Sequence, residues 1–496
     1  MKKCVLFSSF LALSFTIIAQ TATVTLTSQK QYIRGFGGIS IPSWQGGDLT
    51  AAQRTTAFGN GTGQIGMSIL RIIVDDNTAN WSQEVPTAKA AIQNGAIVFA
   101  TPWNPPIALT ETVTVNNQQV KRLKYASYGD YVTHLNNFNT YMKNNGVDLF
   151  AISIQNEPDY GADWTWWTAS EVYNFTKNNA GALTANKVIT AESFSYSKSY
   201  YDQILNDPTA LANIDIIGCH FYGSDPTTTA SSFYQYPLAD SKALNKERWM
   251  TEHYTNSTAN SGNLWPDALN VALEISRAMV EGQMSAYVWW YIRRSYGPIL
   301  EDGTVSKRGY CMSQFSKFIR PGYYRVDATQ KPTSGVNFSA YKNGNDVVLV
   351  AVNTNTSASS ITISVPGTKV TSWTPYTTSS SKNVAQGTSI SSSGSFKVTL
   401  DASSVTTFVG KGIVTGLEDM TEEQEALVYP NPFQSEGMYI ELSGDFNYKI
   451  TDASGIAMEE GNAHSNKIVG QNLPNGIYFL TLQNGTKSST RKMVKQ

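Results

Sequence analysis

The 496-residue chain has few of the residues that cross-links and metal sites require. It contains three cysteines and four histidines, and no Cys-x-x-Cys pair or metal-ligand histidine spacing. Disulfide scaffolds and zinc sites depend on such clusters, so the sequence predicts a fold without cross-links and no metal or other cofactor. Cys4 lies in the first apolar segment, which leaves one pairing open, between Cys219 and Cys311.

Charge is also scarce and nearly balanced. Charged residues make up 15% of the chain and the formal net charge is -1, which excludes a broad electrostatic attraction to nucleic acid or anionic membranes. An acidic ligand would therefore have to meet local cations. The 26 Tyr, 20 Phe and 11 Trp residues suit a carbohydrate-binding protein, although a large core and strand propensity account for them equally.

Long apolar segments are absent except at the N-terminus. Two lysines precede an apolar run that ends at Ala19, which is typical of a secretory signal peptide over residues 1–22 cleaved between Ala19 and Ala22. The run is short for a membrane span, which needs about 20 residues. The sequence thus predicts a protein that leaves the cell through the periplasm, is released or attached at the surface, and has no membrane span.

Eight short apolar segments alternate with amphipathic helical patterns such as 128–144 and 266–281. This alternation predicts a (β/α)8 barrel over residues 35–320. A doubly wound open sheet is the alternative, but its Gly-rich phosphate turn is missing, because residues 35–38 lack the spacing and Pro42 follows them. The predicted strands are 35–40, 68–74, 96–101, 149–155, 187–193, 214–222, 248–252 and 286–291.

The composition and the hydrophobic pattern of the sequence change after residue 320. Residues 321–410 are rich in Ser, Thr and Val in period-two patterns, which predicts an antiparallel β-sandwich beside the barrel. Residues 23–34 have the same pattern and are expected to add a strand, so that both ends of the catalytic unit build the sandwich. Residues 411–426 are polar and acidic and are predicted to be a linker to a third unit, 427–496.

The third unit carries three separated motifs: Tyr-Pro-Asn-Pro-Phe from Tyr429, Leu-Pro-Asn-Gly-Ile-Tyr from Leu473, and a basic end, Lys-Met-Val-Lys-Gln. It resembles the C-terminal sorting domain of type IX secretion in Bacteroidetes-like bacteria. The resemblance implies a small β-sandwich whose partner is the type IX secretion machinery. An accessory carbohydrate-binding sandwich is the alternative.

Two glutamates end predicted barrel strands. Glu157 follows the fourth strand in Gln-Asn-Glu-Pro, and Glu252 ends the seventh in Met-Thr-Glu-His. The C-terminal strand ends form the active site of such barrels. Two carboxylates about 5–5.5 Å apart suit a retaining glycosidase, with one as nucleophile and the other as acid/base. Each glutamate alone could instead form a salt bridge, and Asn156 could donate a hydrogen bond to a sugar hydroxyl.

With these two motifs, residues 24–410 resemble glycoside hydrolase family 30. The resemblance implies that Glu157 is the acid/base and Glu252 the nucleophile, and that the protein is a monomer. Further details resemble subfamily 8, the glucuronoxylanases, which implies a retaining endo-β-1,4-xylanase that cuts xylan where glucuronic acid is attached.

The subfamily resemblance concerns residues that could hold a carboxylate. An arginine fork pairs with a uronate through two parallel hydrogen bonds, and Arg294 lies in the segment that closes the eighth strand. The alternative is that Arg293 and Arg294 only neutralise barrel acids. The glucuronate contacts implied by the resemblance are Trp290, Arg294, Tyr296, Tyr254 and Ser257.

Other pocket candidates follow strand ends. Trp103 could stack on the sugar at the cleavage point, and Tyr222 could bond the nucleophile or the sugar, although such aromatics are as often core residues. Tyr160 is close to Glu157 in sequence, and the role of Trp44 stays open. Arg71, a charge in an apolar run, would lower the pKa of Glu252 or form a structural ion pair.

Two rival functions remain at this stage. One is a family 30 β-glucosidase, glucosylceramidase or β-1,6-glucanase, which needs no uronate anchor. The other is a non-catalytic xylan-binding protein that keeps the barrel. Arg294 argues against the first rival, and the intact pair of Glu157 and Glu252 argues against the second.

Overall fold

The structure is a computed structural model that describes residues 20–243, 245–255, 261–412, 426–442, 444–464, 466–484 and 487–496. The chain forms two compact units, Met1–Ile413 and Val414–Gln496. Within the described ranges, no helix is both long and apolar enough to cross a membrane.

The first unit contains twenty strands and eleven α-helices among its described residues. In chain order the strands are β1 (Thr21–Tyr32), β2 (Gly35–Ile39), β3 (Ile69–Val74), β4 (Ile97–Pro102), β5 (Thr110–Val115), β6 (Gln118–Leu123), β7 (Ala151–Ser153), β8 (Val188–Ser193), β9 (Ile216–His220), β10 (Glu247–Glu252), β11 (Ala286–Tyr291), β12 (Tyr324–Ala328), β13 (Val336–Asn343), β14 (Asp346–Asn353), β15 (Ser359–Ser364), β16 (Val370–Thr378), β17 (Ala385–Gln386), β18 (Ile390–Ser391), β19 (Ser395–Leu400) and β20 (Ser404–Gly412). The helices are α1 (Pro42–Gln45), α2 (Ala51–Phe58), α3 (Val85–Gln93), α4 (Tyr128–Asn144), α5 (Ala169–Asn178), α6 (Ser199–Asn206), α7 (Pro208–Ala212), α8 (Ser231–Tyr234), α9 (Pro237–Lys242), α10 (Leu269–Val280) and α11 (Lys307–Ser316).

The predicted (β/α)8 barrel is confirmed. Strands β2, β3, β4, β7, β8, β9, β10 and β11 pair in parallel and close into a ring. The fourth barrel strand, β7, has only three residues, fewer than the sequence suggested. Beyond it, Ile154 and Asn156 still donate to carbonyls of Ile189 and Pro102, but the chain is already turning toward Glu157.

The barrel interior is layered, which decides where polar groups can lie. Its lower layer is apolar, and Phe99 packs edge-on against Trp249 with ring centroids 5.5 Å apart. Side chains two positions further along a strand point to the same side. The residues that follow this layer on β3, β4 and β10 are therefore the polar Arg71, Thr101 and Thr251, all buried.

The side domain is the predicted β-sandwich, with one difference in strand pairing. Strand β1 pairs antiparallel with β12, as expected, but its first residues, Thr21 to Thr23, pair in parallel with β15. Strand β1 thereby joins β12 and β15 into one ten-stranded sheet, in the order β17-β16-β20-β14-β13-β12-β1-β15-β19 with β18 beside β16, and the sheet curls around an apolar core that includes Val24, Phe338 and Trp373. The N-terminal segment thus belongs to the sandwich even though it precedes the barrel in sequence.

The two cysteines that the structure describes do not form a disulfide. Cys219 and Cys311 are both buried and free, and burial raises the pKa of each thiol well above its ordinary value. Cys219 lies in the barrel wall on β9, as its apolar sequence neighbours suggested.

The second unit is built from two small antiparallel sheets. Its strands are β21 (Leu427–Tyr429), β22 (Met438–Glu441), β23 (Asp445–Asp452), β24 (Ala457–His464), β25 (Lys467–Val469), β26 (Gly476–Asn484) and β27 (Lys487–Lys495). The sheet orders are β21-β22-β25 and β24-β23-β26-β27. Between them lies an apolar core that includes Phe433, Ile440, Ile450 and Leu480. The unit has its own core, as an independent domain requires.

Candidate active site

The two strand-end glutamates meet at the C-terminal face of the barrel. A carboxylate oxygen of Glu157, a ring nitrogen of His220 and a carboxylate oxygen of Glu252 all lie within 4.8 Å of one another. Both glutamates are nearly fully buried, with 2% and 4% of their surfaces exposed. The ends of the fourth and seventh barrel strands thus bring two acids into one site.

Glu157 is held by a hydrogen bond at each carboxylate oxygen. His220 Nδ1 lies 2.8 Å from Oε1, and the indole Nε1 of Trp164 donates to Oε2 at 2.9 Å. The backbone of Glu157 has φ 43°, the left-handed region that costs a side-chain-bearing residue about 1–2 kcal/mol. Strain of this kind at a buried carboxylate is typical of a functional position.

Glu252 is bound by a cation and a phenol. Arg71 forms an ion pair with one carboxylate oxygen, and the Tyr222 hydroxyl donates to the other at 2.7 Å. Burial raises the pKa of Glu252, and the charge of Glu157 adds to the rise, while His220, Arg71 and Tyr222 act in the opposite direction. Arg71 thus lowers the pKa as the sequence suggested, but burial outweighs it.

Arg71 also orients Asn156. Its Nη2 donates to Asn156 Oδ1 at 2.7 Å and to Glu192 Oε1 at 3.1 Å. Because the amide oxygen is occupied by Arg71, the NH₂ group of Asn156 points elsewhere, and it has no hydrogen-bond partner in the described part of the chain. A buried donor without a partner is costly to retain. The site therefore offers one N–H donor for a ligand beside the two carboxylates.

His220 and Glu192 form a charged layer beneath the carboxylates. Burial lowers the pKa of His220, but three carboxylates raise it to about 9: Glu252, the hydrogen-bonded Glu157, and Glu192, which lies 3.7 Å from Nε2. Burial opposes ionisation of Glu192, yet Arg71 and His220 bring its pKa down to about 2. An imidazolium at neutral pH is a hydrogen-bond donor and not a metal ligand, so Glu157, His220 and Glu252 suit proton transfer better than metal binding.

Nine aromatic side chains form a continuous arc that borders both carboxylates, and we name it the aromatic rim. Each ring centroid lies within 6.1 Å of the next, and the two ends of the arc lie six residues apart in sequence, one in β11 and the other on the loop that follows it. The rim runs through Trp290, Trp103, Trp44, Trp164, Tyr160, Phe194, Tyr222, Tyr254 and Tyr296.

Members of the aromatic rim differ in exposure. Trp44 is 38% exposed, whereas Trp103 is only 1% exposed and packs its ring under the guanidinium of Arg71, 4.7 Å from the centroid. The sequence left the role of Trp44 open. In the structure it stacks on Trp164, whose indole donates a hydrogen bond to Glu157. The rim offers flat apolar faces next to the carboxylates, the surface that a sugar ring requires.

Of the residues predicted to hold a uronate, Tyr254 and Tyr296 form one end of this rim and Trp290 forms the other. Tyr254 stacks on Tyr296 with centroids 5.0 Å apart, and the Arg294 guanidinium lies 4.8 Å from the Tyr291 ring centroid. Burial raises the pKa of Tyr296 to about 12, while the nearby cation of Arg294 acts in the other direction. Ser257, the remaining predicted contact, lies outside the described residues.

The adjacent residues Arg293 and Arg294 have different partners. Arg293 donates to backbone carbonyls of Gly47 and Asp48 and so ties the loop after β11 to the loop after β2. Arg294 has a side chain 29% exposed, and its ion pair with Glu301 is loose, at 3.8 Å. Arg294 is therefore the cation with capacity left for an incoming carboxylate.

Sequence reasoning missed Trp164, His220, Glu192 and Phe194. His220 and Glu192 lie on β9 and β8, so listing every polar residue at a predicted barrel strand end would have found both. Trp164 lies in an irregular loop, and its sequence neighbours give no hint that its indole reaches Glu157.

Relatives among characterised sequences cover almost all of the first unit. Over 417 residues the chain is 52% identical to glucuronoxylanase XynC of Bacillus subtilis (strain 168), an alignment that covers 82% of this chain and 97% of the relative. It is 26% identical over 274 residues to a putative glucosylceramidase 4 of Caenorhabditis elegans, which covers 46% of this chain and 50% of that protein.

Solved structures and a family profile complete the comparison. A GH30 endoxylanase from Clostridium papyrosolvens C71 superposes with a TM-score of 0.73 at 43% identity, covering 79% of this chain and 100% of that one. The subfamily 8 xylanase Xyn30A of Clostridium acetobutylicum superposes with a TM-score of 0.71 at 36% identity, with the same coverage. Residues 427–496 match the profile of the secretion system C-terminal sorting domain.

Proposed function

The chain belongs to the glucuronoxylanases of glycoside hydrolase family 30, and from that premise we propose how its own residues cleave xylan. The enzyme is a retaining endo-β-1,4-xylanase that cuts the backbone of glucuronic acid-substituted xylan. In our proposal Glu252 is the nucleophile and Glu157 the acid/base. Their separation supports this, because retaining enzymes hold the carboxyl groups about 5–5.5 Å apart and inverting enzymes about 6.5–9.5 Å apart.

The first step forms a covalent glycosyl-enzyme. Glu252 attacks the anomeric carbon, while Glu157 gives its proton to the departing glycosidic oxygen. The ion pair with Arg71 and the hydrogen bond from Tyr222 hold the Glu252 carboxylate in position for attack. The free NH₂ of Asn156 donates to a hydroxyl of the sugar at the cleavage point, where such a bond strengthens in the transition state.

The second step releases the sugar with its original anomeric configuration. Glu157, now ionised, takes a proton from water, and the hydroxide displaces Glu252 from the anomeric carbon. His220 and Trp164 hold the Glu157 carboxylate in place in both steps through the two bonds at its oxygens. Water takes the place of the departed leaving chain before this step.

The glucuronate side group selects the cleavage position. Arg294 pairs with its carboxylate, and Trp290, Tyr296, Tyr254 and Ser257 complete the contacts, while Trp103 packs beside the sugar at the cleavage point. A charged hydrogen-bonded contact of this kind rejects an unsubstituted chain, because the Arg294 cation then keeps only weak contacts among the described residues, a loose ion pair with Glu301 at 3.8 Å and the face of the Tyr291 ring.

The C-terminal sorting domain indicates a secreted or cell-surface protein. We propose that the chain crosses the periplasm before the type IX secretion machinery takes it to the surface. We also propose that it works as a monomer, as its resemblance to family 30 implies.

One observation carries this proposal. Arg294, whose ion pair with Glu301 is loose, lies on the loop after β11, and the two acids at the same face of the barrel are close enough to act on one sugar. The test measures reducing sugar released from glucuronoxylan and from the same xylan after enzymatic removal of its uronates. We expect release only from the first, and none from Glu252→Gln. Proton NMR of the first-formed product should show the β-anomer. Equal cleavage of both substrates, or an initial α-anomer, would contradict the proposal.

A further inference from the structure

The first turn of α11 contacts both loops that carry the proposed uronate site. One loop follows β11 and holds Arg294 and Tyr296, and the other follows β10 and returns to the described chain at residue 261. The two loops are joined by a backbone hydrogen bond from Gly262 to the Ser295 carbonyl at 2.7 Å. Helix α11 also packs against the barrel strand β2 and the sandwich strands β16 and β20, so its first turn is a rigid support for the two loops.

Side-chain and backbone groups of this turn hold each loop separately. The buried Ser306 hydroxyl donates to the Gly297 carbonyl at 2.6 Å, and the Arg308 amide donates to the Gly262 carbonyl at 3.0 Å. The three segments approach so closely that a Cβ on Gly262 would lie 2.7 Å from the Gly297 carbonyl oxygen. On Gly309 it would lie 2.3 Å from the Pro298 carbonyl oxygen. The contact is thus backbone against backbone, with little freedom to shift.

Arg308 is the unusual residue of this junction. It is 1% exposed, and its Nη1 donates to the carbonyl of Tyr296 at 2.9 Å. Its guanidinium carbon lies 5.4 Å from the ring centroid of Trp289, and in the described residues its Nε and Nη2 have no hydrogen-bond partner. A buried cation with one hydrogen bond is a poor stabiliser, since an apolar side chain of similar volume would fill the space at lower cost.

We propose that Arg308 is a positioning residue for glucuronate recognition, which sets the loop after β11 so that Arg294 and Tyr296 face the substrate carboxylate. Two features support the assignment: the hydrogen bond that the Arg308 side chain donates to the Tyr296 carbonyl, and the hydrogen bond of its backbone amide to Gly262 on the second loop. The inference rests on the proposed function and deepens it.

The side domain reinforces the same turn. Lys307 Nζ donates to the carbonyl of Ser379 at 2.7 Å and to Asn383 Oδ1 at 2.6 Å, both in the sandwich. The backbone amide of Lys307 is also held in place, because it donates a hydrogen bond to Asn263 Oδ1 at 3.0 Å. The sandwich thereby braces the helix turn on which the uronate loop rests.

The test compares KM and kcat of the full chain for Arg308→Met, Arg308→Lys and Arg325→Met. Arg325 is a matched control, because it is a buried arginine at 5% exposure in the sandwich, bonded to Gln31. The substrates are glucuronoxylan and an aryl β-xylobioside, which has a reactive leaving group and no uronate. Thermal unfolding of each variant reports the loss of stability separately.

For Arg308→Met we expect KM for glucuronoxylan to rise by about tenfold, the effect of one hydrogen bond, with cleavage of the aryl substrate changed less than about twofold. Arg308→Lys keeps the charge and one donor and should recover part of the loss. Arg325→Met should lose stability with no change in KM. The same KM in Arg308→Met as in wild type, or an equal loss on both substrates, would overturn the inference.

Arg294→Met, measured in parallel, separates this inference from the proposed function. If Arg294→Met retains its preference for glucuronoxylan, the uronate anchor itself is wrong. If Arg294→Met loses that preference while Arg308→Met and Arg308→Lys keep the wild-type KM, the anchor stands and the positioning role of Arg308 is refuted.

Discussion

Asn156 accepts a hydrogen bond from Arg71 on its side-chain oxygen, at 2.7 Å, and this contact fixes which end of the amide faces the two carboxylates. The sequence alone could not decide that orientation, because an asparagine offers a donor and an acceptor at nearly the same place. The structure assigns the oxygen to the protein and leaves the NH₂ group for substrate.

Asn156→Ala should lower kcat by about 10²-fold or more with little change in KM, because a bond that strengthens in the transition state supplies several kcal/mol to the rate. Initial rates on glucuronoxylan check this. Asn139→Ala, which removes a nearly buried asparagine that bonds Thr184 on the barrel surface, should leave kcat unchanged. A rise in KM at constant kcat in Asn156→Ala would show that the donor binds the ground state and the transition state equally and does not stabilise the transition state selectively.

Glu157→Ala should lower kcat on glucuronoxylan by about 10²–10⁴-fold, the usual contribution of general acid–base catalysis. On an aryl β-xylobioside the first step needs less protonation, so hydrolysis should stall at the covalent intermediate. Azide should then restore turnover and yield a β-glycosyl azide, identified by mass spectrometry and NMR. Azide should not rescue Glu252→Gln. An α-azide, or rescue of the wrong variant, would mean that the two roles are exchanged or mistaken.

Tyr222→Phe should lower kcat by about tenfold, because the Glu252 carboxylate loses one of its two hydrogen-bonded partners. The ring remains in the aromatic rim, so KM should change little. Tyr201→Phe is the matched control: its buried hydroxyl donates to the Gly218 carbonyl, and its loss should reduce stability and leave kcat unchanged. Equal kcat in Tyr222→Phe and wild type would exclude the phenol from the reaction.

The stability of the first unit should fall on the alkaline side because of His220. Its pKa is about 9 in the folded protein against 6.5 when unfolded, so its contribution is complete below pH 6.5 and is lost as pH rises through 9. The shift corresponds to on the order of 3 kcal/mol. Denaturant unfolding at several pH values should show this fall in wild type and a flatter profile in His220→Gln.

Glu192 should make the stability of the first unit fall on the acid side. Its pKa is about 2 when folded against 4.5 when unfolded, so its contribution to stability is present above pH 4.5 and is lost as pH falls toward 2.

If the stability of wild type and of His220→Gln fell equally with rising pH on the alkaline side, the charged state assigned to His220 would be contradicted, whatever happens on the acid side.

Removing residues 414–496 should leave catalysis intact and abolish export. The first unit has its own cores and includes all described residues of the proposed site, so activity of the truncated enzyme on glucuronoxylan should stay within about twofold. Fractionation of the native host should then find the truncated protein inside the cell envelope. Loss of activity in the purified truncated enzyme would show that the second unit supports the catalytic one.

The fold could be predicted because its signals are local. Eight apolar segments separated by amphipathic ones specify a barrel, and the strand ends place Glu157 and Glu252 together. The parallel pairing of β1 with β15 could not be foreseen, since it joins residues more than 300 positions apart by backbone bonds alone. Trp164 was not predicted as a site residue for a similar reason. Its hydrogen bond to Glu157 depends on how an irregular loop folds back, and no periodic sequence pattern indicates such a fold.

The two free, buried cysteines have a practical consequence. Since Cys219 and Cys311 lie in packed interiors as thiols, the first unit needs no oxidant to fold and offers no bond for a reductant to break. Manufacture in an ordinary bacterial cytoplasm, and use alongside thiol reagents in biomass slurries, should therefore leave the xylan-cutting unit unharmed.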